Sequence, residues 1–181
     1  MADASPWSRV RAELYSLLGR NPKSNRLVVE IAQPGAGDAT LDIGCGPGAA
    51  VRVAAPMVQR AVGVDNSAAM IRIARRRSRR VPNAEFEVGA AEALPFADAT
   101  FDRAWTVHAF HHWSEQDAGL VEARRVLRPG GRLLVVERKT EGHHGLTERG
   151  ADALCLRLTD AGFGDAGVER HRKQLVVMGQ V

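Results

Sequence analysis

The chain is short of cysteine, aromatic residues and long apolar runs, and each shortage closes off a class of protein. Its 181 residues include two cysteines, Cys45 and Cys155, too few for the disulfide framework of a small secreted scaffold. Cys45 also lies inside a glycine-rich turn, so no structural disulfide is expected. No stretch approaches the roughly 18 apolar residues of a membrane span, and MADASPWSRVRAE at the N-terminus lacks the apolar core of a secretory signal. The expectation is a cytoplasmic protein with no membrane partner. Excess charge is also scarce, at a formal +4, and much of it sits in Arg72, Arg75, Arg76, Arg77, Arg79 and Arg80. Such a cluster is a solvated helix end or a track for phosphates; the first reading is preferred, and a nucleic-acid partner is disfavoured.

The content that is present, 45% hydrophobic and 25% charged, suits a folded globular chain. Its length fits a single domain, residues 1–181, divided into an N-terminal helical cap over 1–36 and a core over 37–181. In the cap, Trp7, Val10, Leu14, Leu17 and Leu18 recur at helical spacing, and Gly19, Asn21 and Pro22 end that helix. Leu27, Val28, Ile31 and Ala32 give a second helix, stopped by Pro34 and Gly35. From Thr40 onward the pattern alternates. Strands are predicted near 40–43, 60–65, 84–89, 101–107 and 131–138, with helices near 47–56, 67–79 and 117–127. A further helix over 147–161 precedes two strands near 168–171 and 174–179 that pair antiparallel. Alternation of this kind specifies an α/β fold, a doubly wound and mostly parallel sheet with helices on both faces. Ligands of such sheets sit beyond the carboxyl ends of the strands, where strand order reverses.

The stretch TLDIGCGPG, Thr40 to Gly48, places that reversal point at the first strand-to-helix turn. Gly44, Gly46 and Gly48 let the backbone turn sharply and lie against a ligand. The spacing is G-x-G-x-G rather than the G-x-G-x-x-G of dinucleotide sites, and Asp42 precedes it. An acid there repels a pyrophosphate and suits a cationic amino group. Asp65 closes the second strand, RAVGVD, and its carboxylate can accept hydrogen bonds from a ribose diol or cap the following helix. Adenosine with a cationic tail describes S-adenosylmethionine.

The blocks LDIGCGPG (41–48), VGVDNSAAM (62–70), ALPFADATFDRAW (93–105), AFHHW (109–113) and RRVLRPGGRLLVVE (124–137) together resemble the class I S-adenosylmethionine-dependent methyltransferases. The resemblance is to the small-molecule branch related to ubiquinone and menaquinone methyltransferases, the Methyltransf_11 type. It implies a Rossmann-like seven-stranded sheet with an antiparallel last strand, with the cofactor S-adenosyl-L-methionine and the product S-adenosyl-L-homocysteine. It also assigns Asn66 and Met70 to the adenine neighbourhood, Met70 being equally suited to the core. FEVGAAEALPF departs from the family, because Ala90 stands where an aspartate is expected; the Ala91 backbone and Glu92 remain for the adenine amino group. The segment after the fifth strand is short where relatives insert a lid, which implies an open acceptor site or one completed by a partner subunit in a homodimer.

Val107 and His108 follow the fourth strand, facing the transferable methyl in this fold. His108 is the candidate general base, or else a packing histidine. His111 and His112 match a pair that is structural in the family, while His143 and His144 fall in the loop after the fifth strand. Adjacent imidazoles without a cysteine pair or carboxylate triad do not define a metal site, and none is expected. Glu137 is an alternative base or a solvated strand-end acid, and Tyr15 and Arg20 are further cap residues that can reach the pocket. The leading expectation is methyl transfer to a small-molecule acceptor, at oxygen. RNA methylation, a cofactor-sensing protein and a nicotinamide-dependent reductase are the alternatives.

Overall fold

A computed structural model describes residues 22–141 and 145–181 of the chain. The helix expected over Pro6–Leu18, together with Tyr15, Arg20, His143 and His144, lies outside the described residues.

The first described element is α1, Pro22–Ala32. Pro22 therefore opens this helix as well as following the preceding segment; a proline in the first turn gives up no intrahelical hydrogen bond. The core then alternates β1 (Ala39–Ile43), α2 (Ala49–Ala54), β2 (Arg60–Asp65), α3 (Ala68–Ser78), β3 (Ala84–Val88), β4 (Phe101–Val107), α4 (Gln116–Val126) and β5 (Leu127–Arg138). It ends with α5 (Glu148–Asp160), β6 (Gly164–His171) and β7 (Gln174–Gln180).

The strands form one seven-stranded sheet in the order β3-β2-β1-β4-β5-β7-β6. Pairs β1–β2, β1–β4, β2–β3 and β4–β5 are parallel, and β7 is antiparallel to both β5 and β6. Of the final two strands, only β7 is thus reversed relative to the parallel set. Two boundaries differ from the sequence reading. β5 begins at Leu127, not 131: the ladder pairs Phe101 with Leu127 and then Arg103 with Arg132, so Pro129-Gly130-Gly131 forms an irregularity inside the strand rather than a break before it. β6 begins at Gly164, with a register shift between Gly164 and Gly167.

The faces of the sheet differ in their cover. Leu41, Ile43, Val62, Leu133 and Val135 pack with Leu120 and Ala123 of α4 and Leu154 and Leu158 of α5. Trp105, Leu134, Val136 and Val176 face Val28, Val29 and Ala32 of α1 and Ala50 and Ala54 of α2. Strand alternation puts Asp42, between Leu41 and Ile43, on the α1 side of β1. Strand order reverses between β1 and β4, so the turn after β1 and the segment after β4 flank a single crevice.

Candidate functional site

The turn after β1 is pinned to β2: the Gly44 and Cys45 N–H groups both donate to the Val64 carbonyl, at 2.8 and 3.0 Å. Gly44, Gly46 and Gly48 all have positive φ, at 74°, 51° and 74°. Their surroundings differ. A Cβ on Gly46 would meet nothing, one on Gly44 would lie 2.6 Å from the Ala109 side chain, and one on Gly48 would lie 2.6 Å from the Phe86 ring. Gly46 faces open space, Gly44 lets the β1 and β4 loops approach, and Gly48 lets α2 start against the core.

A cavity of about 370 Å³ opens beside this turn. Its wall includes Gly44, Gly46, Asp65, Asn66, Met70, Ala91, Glu92, Val107 and His108. Two predicted residues are not on the wall. Gly48 is buried, and Asp42 is 3% exposed and has no hydrogen bond or ion pair with any described residue. Burial first, and then the charge of Asp65, pushes the Asp42 carboxyl up to about 8. A cation arriving nearby reverses that effect.

Asp65 is held on both oxygens, accepting from Gly46 N–H at 2.9 Å and from Ser67 N–H at 2.9 Å. Ser67, not Asp65, caps α3, its side chain accepting from the Met70 N–H. Burial raises the Asp65 pKa against the lowering effect of those two N–H groups. A carboxylate offers about four lone-pair sites, so each oxygen keeps capacity for a ligand hydroxyl. Glu92 also lines the cavity and accepts from Glu115 N–H at 3.0 Å, tying the start of α4 to the cavity rim. Burial raises its pKa, but backbone N–H groups, Glu115 first, lower it further.

His108 carries a left-handed backbone, φ 55°, with its N–H donating to Val136 O at 2.8 Å. For a residue other than glycine this conformation is uncommon, and such positions cluster at working sites. The ring lies between two groups. Its Nε2 is 2.8 Å from Ser24 Oγ, and its Nδ1 is 3.8 Å from Glu137 Oε2, an ion-pair separation rather than a hydrogen bond. Glu137 is 1% exposed, so the solvated strand-end acid of the sequence reading is corrected to a buried one. Its other oxygen is 3.1 Å from His111 Nδ1. Burial pushes the Glu137 carboxyl up, yet His108 and His111 pull it down further and leave it below the ordinary carboxylate value.

The cavity also takes in residues to which sequence reasoning gave no role there, including Asn25, His112, Trp113 and Ser114. The Trp113 indole packs edge-on against Phe110, with ring centroids 5.0 Å apart. Asn25 comes from α1, where the only signal was a pair of polar residues, Ser24 and Asn25, opening an apolar helix. The arginine cluster lies on the last turns of α3 and just beyond it, away from the cavity wall. Arg75 is tied back, donating to the Phe86 carbonyl at 3.1 Å and facing Glu87 at 3.5 Å.

The residues present fit an adenosyl amino acid: a buried acid without a cationic partner among the described residues, a strand-end carboxylate with lone pairs to spare, and a glycine facing open space. This sheet and this site define a class I S-adenosylmethionine-dependent methyltransferase. The profile of the family described as "Methyltransferase domain" matches residues 41–135, and the chain belongs to that family. S-adenosylmethionine is its cofactor.

Among relatives, an uncharacterized methyltransferase of Bacillus subtilis, YcgJ, is 33% identical over 141 residues, spanning 76% of this chain and 55% of that protein. The demethylmenaquinone methyltransferase of Tropheryma whipplei is 39% identical over 102 residues, covering 56% and 42% respectively. The crystal structure of an S-adenosylmethionine-dependent methyltransferase from Aquifex aeolicus has the same fold, with a TM-score of 0.78 at 21% identity, over 94% of this chain and 98% of that one. The chain spans 34% to 55% of the length of the first curated relatives it matches.

Proposed function

We propose that the protein transfers a methyl group from S-adenosylmethionine to a hydroxyl of a small-molecule acceptor, as one domain with the N-terminal helices as its cap. The observation that carries the reading is the placement of buried Asp42 beneath a glycine turn whose wall holds Asp65. When bound, the sulfonium cofactor supplies an electrophilic methyl group. Asp42 offsets the charge of the cofactor ammonium, Asp65 accepts from the ribose, and Met70 and Ala91 supply apolar contact around the base. Asn66 and Glu92 complete the polar rim.

The chain's task in the reaction is then alignment and exclusion of water, which can account for about 7–11 kcal/mol of a barrier. His108 lies on the wall beside Val107 and takes the acceptor proton at Nε2 after that nitrogen exchanges Ser24 for the acceptor hydroxyl. The buried Glu137 carboxylate behind Nδ1 stabilises the imidazolium so formed. A small molecule as acceptor is supported by the likeness to a demethylmenaquinone methyltransferase.

Incubating the protein with methyl-labelled S-adenosylmethionine and a metabolite extract tests the reading: one or a few small compounds acquire label. Label confined to RNA, or no calorimetric binding of cofactor or product by the folded protein, sinks it. In His108→Ala, turnover falls by about 100-fold or more while cofactor affinity is nearly unchanged; an undiminished rate removes His108 as the base.

A further inference from the structure

Ser24 interrupts the apolar stripe of α1. It stands one turn before Val28 and two before Ala32, and all three are 0% exposed. A hydroxyl buried that deeply must be hydrogen-bonded. It accepts from Gln174 Nε2, at the start of the reversed strand β7, and lies 2.8 Å from His108 Nε2. Gln174 is itself 8% exposed. Helix α1, the residue after β4 and the start of β7 therefore meet in one polar contact beside the apolar cluster of that face.

The direction of the chain follows from the groups at its ends. The ionised carboxylate of Glu137, 3.8 Å from His108 Nδ1, can only accept, which favours the proton of the neutral ring at Nδ1. Nε2 then keeps its lone pair and accepts from the Ser24 hydroxyl. The Ser24 oxygen in turn accepts the amide proton of Gln174.

We propose that Ser24 is a positioning residue of the site, its hydroxyl latched by Gln174 and fixing the ring orientation of His108 and, together with Glu137, its tautomer. This rests on the reading of His108 as the residue that takes the acceptor proton. A left-handed backbone at φ 55° is a sparsely populated conformation that persists where surrounding contacts hold it, and the Ser24 contact is one of them. The N-terminal helix becomes part of the acceptor side of the pocket: Ser24 holds Nε2 in the resting site until an acceptor hydroxyl replaces it, and its neighbour Asn25 lines the cavity.

Nitrogen NMR on the full chain with ¹⁵N-labelled histidine tests this without an acceptor. In the native protein His108 shows a protonated Nδ1 and an unprotonated Nε2. In Ser24→Ala the signals move toward a mixture of tautomers, and turnover falls about 10- to 100-fold with an unchanged KM for S-adenosylmethionine. Gln174→Leu, which removes the latch and leaves the hydroxyl, shifts the tautomer in the same direction and serves if Ser24→Ala fails to fold. An unaltered His108 pattern in a folded variant overturns the proposal. If no acceptor is ever methylated, the tautomer result still stands on its own, so failure of the brace and failure of the methyl-transfer reading are told apart.

Discussion

Asp42 is buried near Asp65, and burial together with the charge of Asp65 holds its carboxyl up to about 8. At neutral pH, Asp42 is therefore protonated in the ligand-free protein. An incoming ammonium favours the carboxylate and expels that proton. Calorimetry at pH 7 in buffers of different ionisation enthalpy is expected to show release of up to about one proton per S-adenosylmethionine bound, falling toward none well above pH 8. Asp42→Asn removes the release and weakens binding by about one to two decades.

The same group makes stability depend on pH in the opposite sense to an ordinary ion-paired acid. Its folded value of about 8 lies above its unfolded value of 3.8, so the folded state binds the extra proton between them. Its contribution is complete below the unfolded value, declines as pH rises toward about 8 and is level beyond. Glu137, lowered by its two histidines, works the other way, adding stability above its unfolded value that is lost as pH falls through the folded one. Denaturant titrations of the ligand-free protein are expected to show stability falling from pH 5 to pH 8 in the native chain and a flatter profile in Asp42→Asn. An equal decline in both removes Asp42 as its source.

The three glycines show how far the sequence could be read. Their spacing, with Asp42 before and Asp65 after, identified the turn and the strands around it, because short-range backbone demands are written in residue type. It could not divide their labour. Which glycine faces a ligand and which faces the core depends on Phe86 of β3 and Ala109 of the segment after β4, both distant in sequence. For the same reason the arrangement of Ser24, His108, Glu137 and Gln174, drawn from separate parts of the chain, is not legible in the sequence, where Glu137 reads as an alternative base or a solvated acid.

That division is measurable. Gly46→Ala adds a methyl into open space at φ 51°, so the cost is chiefly backbone strain of about 1 kcal/mol, while cofactor affinity drops because the methyl occupies the cavity wall. Gly48→Ala combines φ 74° with a Cβ 2.6 Å from Phe86 and is expected to cost more stability, about 2–4 kcal/mol. Thermal denaturation and cofactor titration separate the two. If Gly48→Ala is no less stable than Gly46→Ala, the packing role of Gly48 is wrong.

Glu92 tests how adenine is held when Ala90 stands at the position of the family's aspartate. Ala90 is not on the cavity wall, whereas Glu92 is, and the oxygen that accepts from Glu115 N–H fixes the carboxylate in place. The carboxylate oxygens, about four lone-pair sites between them, keep capacity to accept from the adenine amino group as well. Glu92→Gln keeps the size of the side chain but removes its charge, and is expected to weaken S-adenosylmethionine by about 1.5–3 kcal/mol, one to two decades in affinity. An analogue with hypoxanthine in place of adenine presents a carbonyl there and donates nothing. It is expected to bind the native protein poorly and to lose little more in Glu92→Gln. If the substitution weakens both ligands equally, the carboxylate acts only by anchoring α4 at the rim, and the amino group finds its partner elsewhere, with the Ala91 backbone as the next group to test.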